Sequence, residues 1–253
     1  STMIGGLTTT QIGALSIFQI ADLSPTQVKG LSSTAISVLS AEQIGVLSGA
    51  QMAALSATQL GNLSSTQASL LSPEQLGALS ATQIGGFSAT AISGLELEDI
   101  VNLTTTQMSG LTAAQIGGLT VTHIPGLSAM QVASLSSSQS QGLTGAQIAA
   151  FSADQIAALA TTQLAALGTG AVGGLLTTQI ASLSTTQLSA LTATQFAALS
   201  ADQTSALAAS QILSLNATQL SRISSTSVAA LGSTILSALS TTQIKGLTAT
   251  QVG

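Results

Sequence analysis

The segment LSATQIGGF, residues 79–87, contains one complete unit of the repeat that organises this sequence. An apolar residue recurs at every eighth position from Leu7 to Leu247, which defines 31 octads with no insertion or deletion. Position one is Leu in 28 octads, and the other three have Phe87, Phe151 and Ile223. The consensus is Leu, Ser or Thr, any residue, Thr or Ala, Gln, an aliphatic residue, and two small residues. Residues 1–253 therefore form one continuous repeat array, which we expect to be a window of a longer array.

The first half of the octad has the pattern of a helix start. Ser or Thr at position two, followed by Gln at position five, is a capping box, in which each side chain bonds the backbone N–H of the other residue. Pro25 and Pro73 follow directly at position three, where the first helical residue favours proline. Five of the eight acidic residues share position four, where a carboxylate complements the helix dipole: Glu42, Glu74, Glu98, Asp154 and Asp202. The pattern predicts one very short helix in each octad.

Two other backbones fit the spacing less well. In one unbroken helix, eight residues turn through roughly 800°, so the Leu residues would spiral around the axis without forming a face. In a flat strand, apolar positions separated by five and then three residues cannot share a face. We therefore predict an all-α solenoid of short capped helices, assuming two octads in each coil. A β-solenoid with a corner inside each octad remains the alternative.

Gln occupies position five in 24 octads, and two roles for it stay open. The side chain can cap its own helix, or its amide can bond the next coil. The octads that lack Gln have Ala35, Ala91, Asp99, His123, Ala171, Ser227 and Ile235. Positions seven and eight are mostly Gly, Ala or Ser, which allows neighbouring coils to approach closely, and a Gly there permits a positive φ at the helix end.

The composition excludes several classes of function. Charged residues make up 4% of the chain, and the three Lys and Arg residues cannot neutralise a nucleic-acid backbone. Without Cys, neither a disulfide framework nor a zinc–thiolate site can form. The mean hydropathy is +0.58, but Ser, Thr and Gln interrupt every octad, so we expect no transmembrane segment. We expect no enzyme, because the sequence offers no His or Lys placed as a general base to activate one of the many Ser and Thr hydroxyl groups.

The remaining candidates for local chemistry are few. His123 is the single histidine, and Glu96, Glu98 and Asp99 form the one acidic cluster, which we interpret as repeat variants and not as metal ligands. We therefore predict no catalytic, cofactor or metal site, and no cofactor. Phe18, Phe87, Phe151 and Phe196 are expected in the core. Asn62, Asn102 and Asn216 match a glycosylation pattern that chance also produces in a chain rich in Ser and Thr.

Segments such as LSATQIGGF (79–87) and LSTTQLSAL (183–191) resemble the octapeptide arrays of very large secreted or surface proteins of bacteria. Those proteins are described as adhesins or as haemagglutinin-like or haem-utilisation proteins. The resemblance covers essentially the whole chain and implies an exported, elongated, adhesin-like protein. It gives no support to haem binding here, because the candidate axial ligands are limited to His123 and four Met.

These observations favour a structural role at the bacterial cell surface or outside the cell. The array is expected to form a rod-like adhesin stalk or a self-assembling fibre, with end-to-end association and a cell-surface or glycan partner. The alternative is a binding module whose rows of Thr at position four meet ice or a polysaccharide. Thr10, Thr58, Thr66, Thr82 and Thr106 carry that alternative.

Overall fold

The computed structural model of this protein describes residues 4–252 and is helical throughout that range. The prediction of an all-α solenoid is confirmed, because the thirty α-helices of residues 4–252 recur in a repeated arrangement without strands. The chain divides into two compact units, one ending at Leu135 and the other beginning at Ser136.

The first unit contains fifteen α-helices within residues 4–135 and 3-10 helices at Ile4–Gly6 and Ile124–Gly126. Its α-helices are α1 (Thr9–Gly13), α2 (Ile17–Ala21), α3 (Pro25–Lys29), α4 (Ser33–Ser37), α5 (Ala41–Gly45), α6 (Gly49–Ala54), α7 (Ala57–Leu60), α8 (Ser65–Ala68), α9 (Pro73–Gly77), α10 (Ala81–Ile84), α11 (Ala89–Gly94), α12 (Leu97–Asn102), α13 (Thr105–Gly110), α14 (Ala113–Gly118) and α15 (Ala129–Ala133).

The second unit contains fifteen further α-helices within residues 136–252. They are α16 (Ser137–Ser140), α17 (Gly145–Ala149), α18 (Ala153–Ala158), α19 (Thr161–Ala166), α20 (Thr169–Gly173), α21 (Thr177–Ser182), α22 (Thr185–Ala190), α23 (Ala193–Ala197), α24 (Ala201–Ser205), α25 (Ala209–Ser214), α26 (Ala217–Leu220), α27 (Ser225–Ala229), α28 (Ser233–Ala238), α29 (Thr241–Gly246) and α30 (Ala249–Val252).

The predicted capping box forms as expected. In α9, the Ser72 hydroxyl accepts a hydrogen bond from the Gln75 backbone N–H at 3.2 Å, and the Gln75 carbonyl oxygen Oε1 accepts one from the Ser72 N–H at 2.8 Å. Ala160, Leu176 and Ala208 have no capping side chain, but their N–H groups still donate to the Gln three residues later. The local pattern therefore specifies where each helix begins.

Each coil contains three octads, so the assumption of two octads in a coil is wrong. Within a unit, a helix packs on the helix three further along the chain, as α3 does on α6 and α8 on α11 in the first unit. In the second unit, α17 packs on α20 and α27 on α30. Residues 24 positions apart in sequence therefore occupy equivalent places in adjacent coils. We call the three resulting sets of octads column A (beginning with octad 7–14), column B (octad 15–22) and column C (octad 23–30).

The core lies along the inside of the coils. The position-six side chains Ile84 and Ile116 are fully buried, and the position-one side chains Leu79 and Leu111 are buried beside them. Because three octads make a coil, each coil supplies up to six large apolar side chains to this core. Helices of four to six residues are too short to be stable alone, so their stability comes from this burial.

Small residues at positions seven and eight allow backbone-to-backbone contact between coils. A Cβ atom added at Gly110 in the first unit would overlap the backbone carbonyl of Ala81, and one at Gly174 in the second unit would overlap Gly145. The positive φ that Gly would permit does not occur in residues 4–252. These glycines are therefore required for close approach and not for backbone conformation.

Candidate functional site

Within each unit, the Gln side chains form a ladder that joins a coil to the preceding one. The Gln75 amide nitrogen Nε2 donates to the Leu47 carbonyl at 2.6 Å and to the Ile44 carbonyl at 2.9 Å. The Ile44 carbonyl lies in the last turn of α5 and the Leu47 carbonyl just beyond the helix end, where helix-end carbonyls lack the usual donor four residues later. The Gln75 side chain is 2% exposed, so these bonds are shielded from water.

One amide group therefore has both roles that the sequence left open. The oxygen caps its own helix and the nitrogen closes the helix end of the preceding coil. The same two bonds occur at Gln51 and Gln107 in the first unit and at Gln195 and Gln211 in the second. Gln suits position five because it combines an acceptor and a donor on one planar group.

His123 replaces Gln in the ladder and reproduces both bonds. Its ring nitrogen Nδ1 accepts a hydrogen bond from the Thr120 backbone N–H at 3.2 Å, and Nε2 lies 3.0 Å from the Leu95 carbonyl oxygen. Because a backbone N–H can only donate and a carbonyl can only accept, these partners require a neutral ring with its proton on Nε2. Burial lowers the pKa of His123, although the nearby carboxylates of Glu96 and Asp99 oppose that shift.

Asp99 also replaces Gln, one coil earlier in column C, but it reproduces only the capping bond of the two. The Asp99 carboxylate accepts from the Glu96 N–H at 2.9 Å. It has no N–H to donate to the Leu71 carbonyl, which a Gln at this place would reach. Burial raises the pKa of Asp99, and the charges of Glu96 and Glu98 raise it further.

The acidic cluster is thus divided by the fold. Asp99 is 4% exposed within the ladder, whereas the Glu96 and Glu98 residues are exposed on the surface. Within residues 4–252 there is no group of three or more His, Cys, Asp or Glu side chains that could hold a metal ion. The prediction of no catalytic or cofactor site stays a prediction.

A second pair of substitutions compensates within the second unit. Thr204 replaces the aliphatic residue at position six, and Ser227 replaces Gln at position five in the next coil. Their hydroxyl oxygens lie 2.7 Å apart, and the Thr204 hydroxyl also bonds the Ser200 carbonyl at 3.1 Å. Both residues are buried, so the two polar replacements satisfy each other inside the core.

The three-octad coil aligns position-four Thr residues in one column. Column A places Thr10, Thr34, Thr58, Thr82 and Thr106 in consecutive coils of the first unit, and all five are exposed. We call these five residues the Thr row. Thr66, which the sequence grouped with them, lies in column B. The same position in column B begins with Phe18 and Glu42, and column C has Glu74 and Glu98, so neither has an uninterrupted row.

The remaining predicted residues are placed as follows. Phe87, Phe151 and Phe196 are buried as expected, but Phe18 is 76% exposed, so its prediction as a core residue is wrong. Phe18 is at position four, where side chains point outward from the helix start. Asn62 donates to the Thr58 carbonyl at 2.8 Å, the Asn216 side chain caps α26, and Asn102 is exposed at the end of α12.

No helix within residues 4–252 combines the length and apolar character needed to cross a membrane. In a comparison with known protein families, residues 20–57 match a family described as the ALTTAQ repeat. This segment runs from the end of α2 to the start of α7 and is similar to that repeat. No curated protein matches the chain. The comparisons therefore support a repeat-containing helical protein.

Proposed function

We propose that this chain is a structural repeat protein of the bacterial cell surface, acting as a rod-like adhesin stalk or as a fibre subunit. The observation that carries the proposal is the Gln ladder, which closes the helix ends of one coil with the side chains of the next. Such hydrogen bonds recur from coil to coil within each unit and are shielded from water, so they resist sliding and bending between these coils. A stiff array suits a spacer.

Two sequence properties support a location outside the cell. The chain has no Cys, and its surface is formed largely by Ser and Thr with few charges, so it neither requires disulfide formation nor attracts charged polymers. The octapeptide arrays that it resembles occur in exported proteins. Protease treatment of intact cells that produce the protein tests this location. Resistance of the array until the cells are lysed would contradict it.

Self-association in the axial direction follows from the two faces of a coil. One face presents Gln Nε2 donors and the opposite face presents helix-end carbonyl acceptors, so coils of two copies can pair as adjacent coils do. Electron microscopy and sedimentation over a range of concentrations test the proposal. We expect elongated particles that lengthen with concentration. Compact particles would exclude the stalk and the fibre together, and elongated particles of constant length would exclude the fibre alone.

The Thr row favours a second function, binding of ice or of a polysaccharide. Its five Thr residues are exposed and evenly repeated, and column A has no carboxylate at position four within the first unit. Glu is tolerated at position four elsewhere, so Thr58→Glu with Thr82→Glu should interrupt the row without unfolding the helices. Thr66→Glu with Thr90→Glu is the matched control in column B.

Thermal hysteresis and glycan-array binding are the measurements for this second function. We expect a signal in one of them that the column A pair removes and the column B pair retains. No signal in either assay, or equal loss in both pairs, would eliminate the Thr row as a binding surface and leave the structural role intact.

A further inference from the structure

We propose that octads 95–102 and 119–126 form an acid-sensitive element, which opens locally when His123 gains a proton while the coils joined by Gln remain closed. Both octads belong to column C of the first unit and lie in adjacent coils. They are joined where His123 meets the Leu95 carbonyl. In the folded state the ring of His123 is 4% exposed.

The hydrogen bonds of His123 determine what a proton would do. In the neutral ring, the lone pair of Nδ1 is the acceptor for the Thr120 N–H. A second proton can bind only at Nδ1, where it would place one N–H directly against another. The cap of this octad would be lost and a buried positive charge would remain. The closed element therefore excludes the proton, and the opened element accepts it.

The charged groups around His123 all lie on one neighbouring helix. The charges of Glu96 and Asp99, at the start of α12, favour the protonated ring, and the charge of Glu98 acts on Asp99. The sequence from 76 to 153 has no other titratable side chain, so α13, α14 and α15 contribute none. The carboxylates attract the protonated ring, but burial outweighs them and lowers the pKa of His123 below its ordinary value.

Opening can be confined to this element because it lacks two hydrogen bonds that regular octads have. Pro125 at position seven cannot donate the N–H that Gly85 and Ser69 donate to the carbonyl four residues earlier. Residues 124–126 accordingly form a 3-10 helix in place of the α-helix of the other octads. Asp99 supplies no bond to the preceding coil. The His123 bonds thus contribute a larger share of the stability here than a Gln contributes elsewhere.

The direction of the pH dependence follows from linkage. Above a pH of about 6.5, His123 is neutral in both the closed and the opened element, and closure has its full stability. As the pH falls below about 6.5, the opened element takes up the proton first, so the ratio of closed to opened element falls by up to about tenfold per pH unit. The decline stops at the lowered pKa of the closed state. Asp99 acts in the opposite sense, because burial raises its pKa and acid relieves its buried charge.

Hydrogen–deuterium exchange of the whole chain at about pH 7.5 and about pH 5.5 tests the proposal, with protection factors corrected for intrinsic exchange. We expect protection in peptides spanning 95–126 to fall at the lower pH, and peptides spanning 47–78 to keep theirs. In His123→Gln, which restores the consensus ladder, protection of 95–126 should not fall at the lower pH, because protonation of the buried Asp99 stabilises the closed element. An Asp99→Asn variant should retain the fall, which separates the two titrating groups.

An equal fall in His123→Gln, or a fall throughout the first unit, would overturn the proposal. So would unchanged protection in the wild-type chain. A second measurement does not depend on any variant: because the chain has one histidine, its imidazole proton signals report one titration. A titration midpoint below that of a short peptide spanning 119–127 supports the proposal. A midpoint at or above that of the peptide would show that the closed state binds the proton as readily as the unfolded chain, and would contradict the proposal.

Discussion

Octads 71–78 and 119–126 belong to the same column of the first unit but differ in how their position-five residue connects the coils. Gln75 bonds its own helix start and two carbonyls of the preceding coil, and α9 is a regular α-helix. His123 makes the equivalent bonds with a group that titrates, and Pro125 converts the following turn to a 3-10 helix. Between them, Asp99 caps its helix but leaves the Leu71 carbonyl without a ladder bond.

The difference shows that a repeat can retain its register while losing part of its hydrogen bonding. The core residues Leu76, Ile100 and Ile124 are buried in all three octads, so burial fixes where each octad lies. Position five decides how strongly adjacent coils are joined. Substitutions that remove ladder bonds from the regular octads, or restore them in the irregular ones, test whether position five controls the stability of the coils.

The largest effect is expected from breaking the ladder in the regular octad. Gln75→Ala leaves the Ser72 N–H and the Leu47 carbonyl without partners, at a cost of about 3 kcal/mol in the free energy of unfolding. Urea denaturation followed by circular dichroism measures this cost. The matched control is Gln19→Ala, because Gln19 is exposed and has the capping bonds alone, with an expected cost of about 1 kcal/mol. Equal costs would show that capping, and not the ladder, provides the stability.

The second effect tests the close approach that the ladder requires. Gly110→Ala places a Cβ atom against the Ala81 backbone and should destabilise the first unit by about 2 kcal/mol. At Gly77 the same change meets no atom within 4 Å, and the higher helix propensity of Ala should stabilise the unit by up to about 1 kcal/mol. Thermal denaturation of both variants compares them. A stabilising Gly110→Ala would contradict the observed backbone contact.

The third prediction restores the ladder in the irregular region. Asp99→Gln removes a buried carboxylate and supplies a donor to the Leu71 carbonyl, so it should stabilise the unit by about 1.5 kcal/mol at neutral pH. Burial raises the pKa of Asp99, so the wild-type chain gains stability from protonation as the pH falls through that raised value, and the variant does not. The advantage of Asp99→Gln should therefore shrink on acidification. Urea titrations at neutral and acidic pH measure the change, and a constant advantage would contradict it.

The smallest effect is expected at Pro125. Pro125→Ala returns an N–H that can donate to the Val121 carbonyl and should extend an α-helix across 121–126, with a gain of about 0.5 kcal/mol. The gain is small because proline also restricts the unfolded chain. Backbone chemical shifts report the helix directly. Pro73→Ala is the control, since Pro73 begins α9 and its replacement should leave the helix unchanged.

Much of the local structure could be predicted from the sequence. Ser72 and Gln75 define a helix start because the capping box involves residues three apart, which a sequence displays directly. The interruption at Pro125 could also be predicted, since proline at position seven cannot complete an α-helix. The burial of Phe196 and the exposure of Phe18 follow from positions six and four, although the aromatic character of Phe18 suggested the core. The compensation between Thr204 and Ser227 needed knowledge of which octads are adjacent.

By itself, the sequence determined the octad, the helix in each octad, the core positions and the absence of Cys chemistry, because each depends on residues within one repeat. The tertiary structure decided that three octads complete a coil. That number depends on small backbone rotations where one helix ends and the next begins, and these rotations leave no mark in the residue pattern. By setting three octads in a coil, the tertiary structure also decided that Gln75 reaches Leu47, that His123 reaches Leu95, and that five Thr residues share one column.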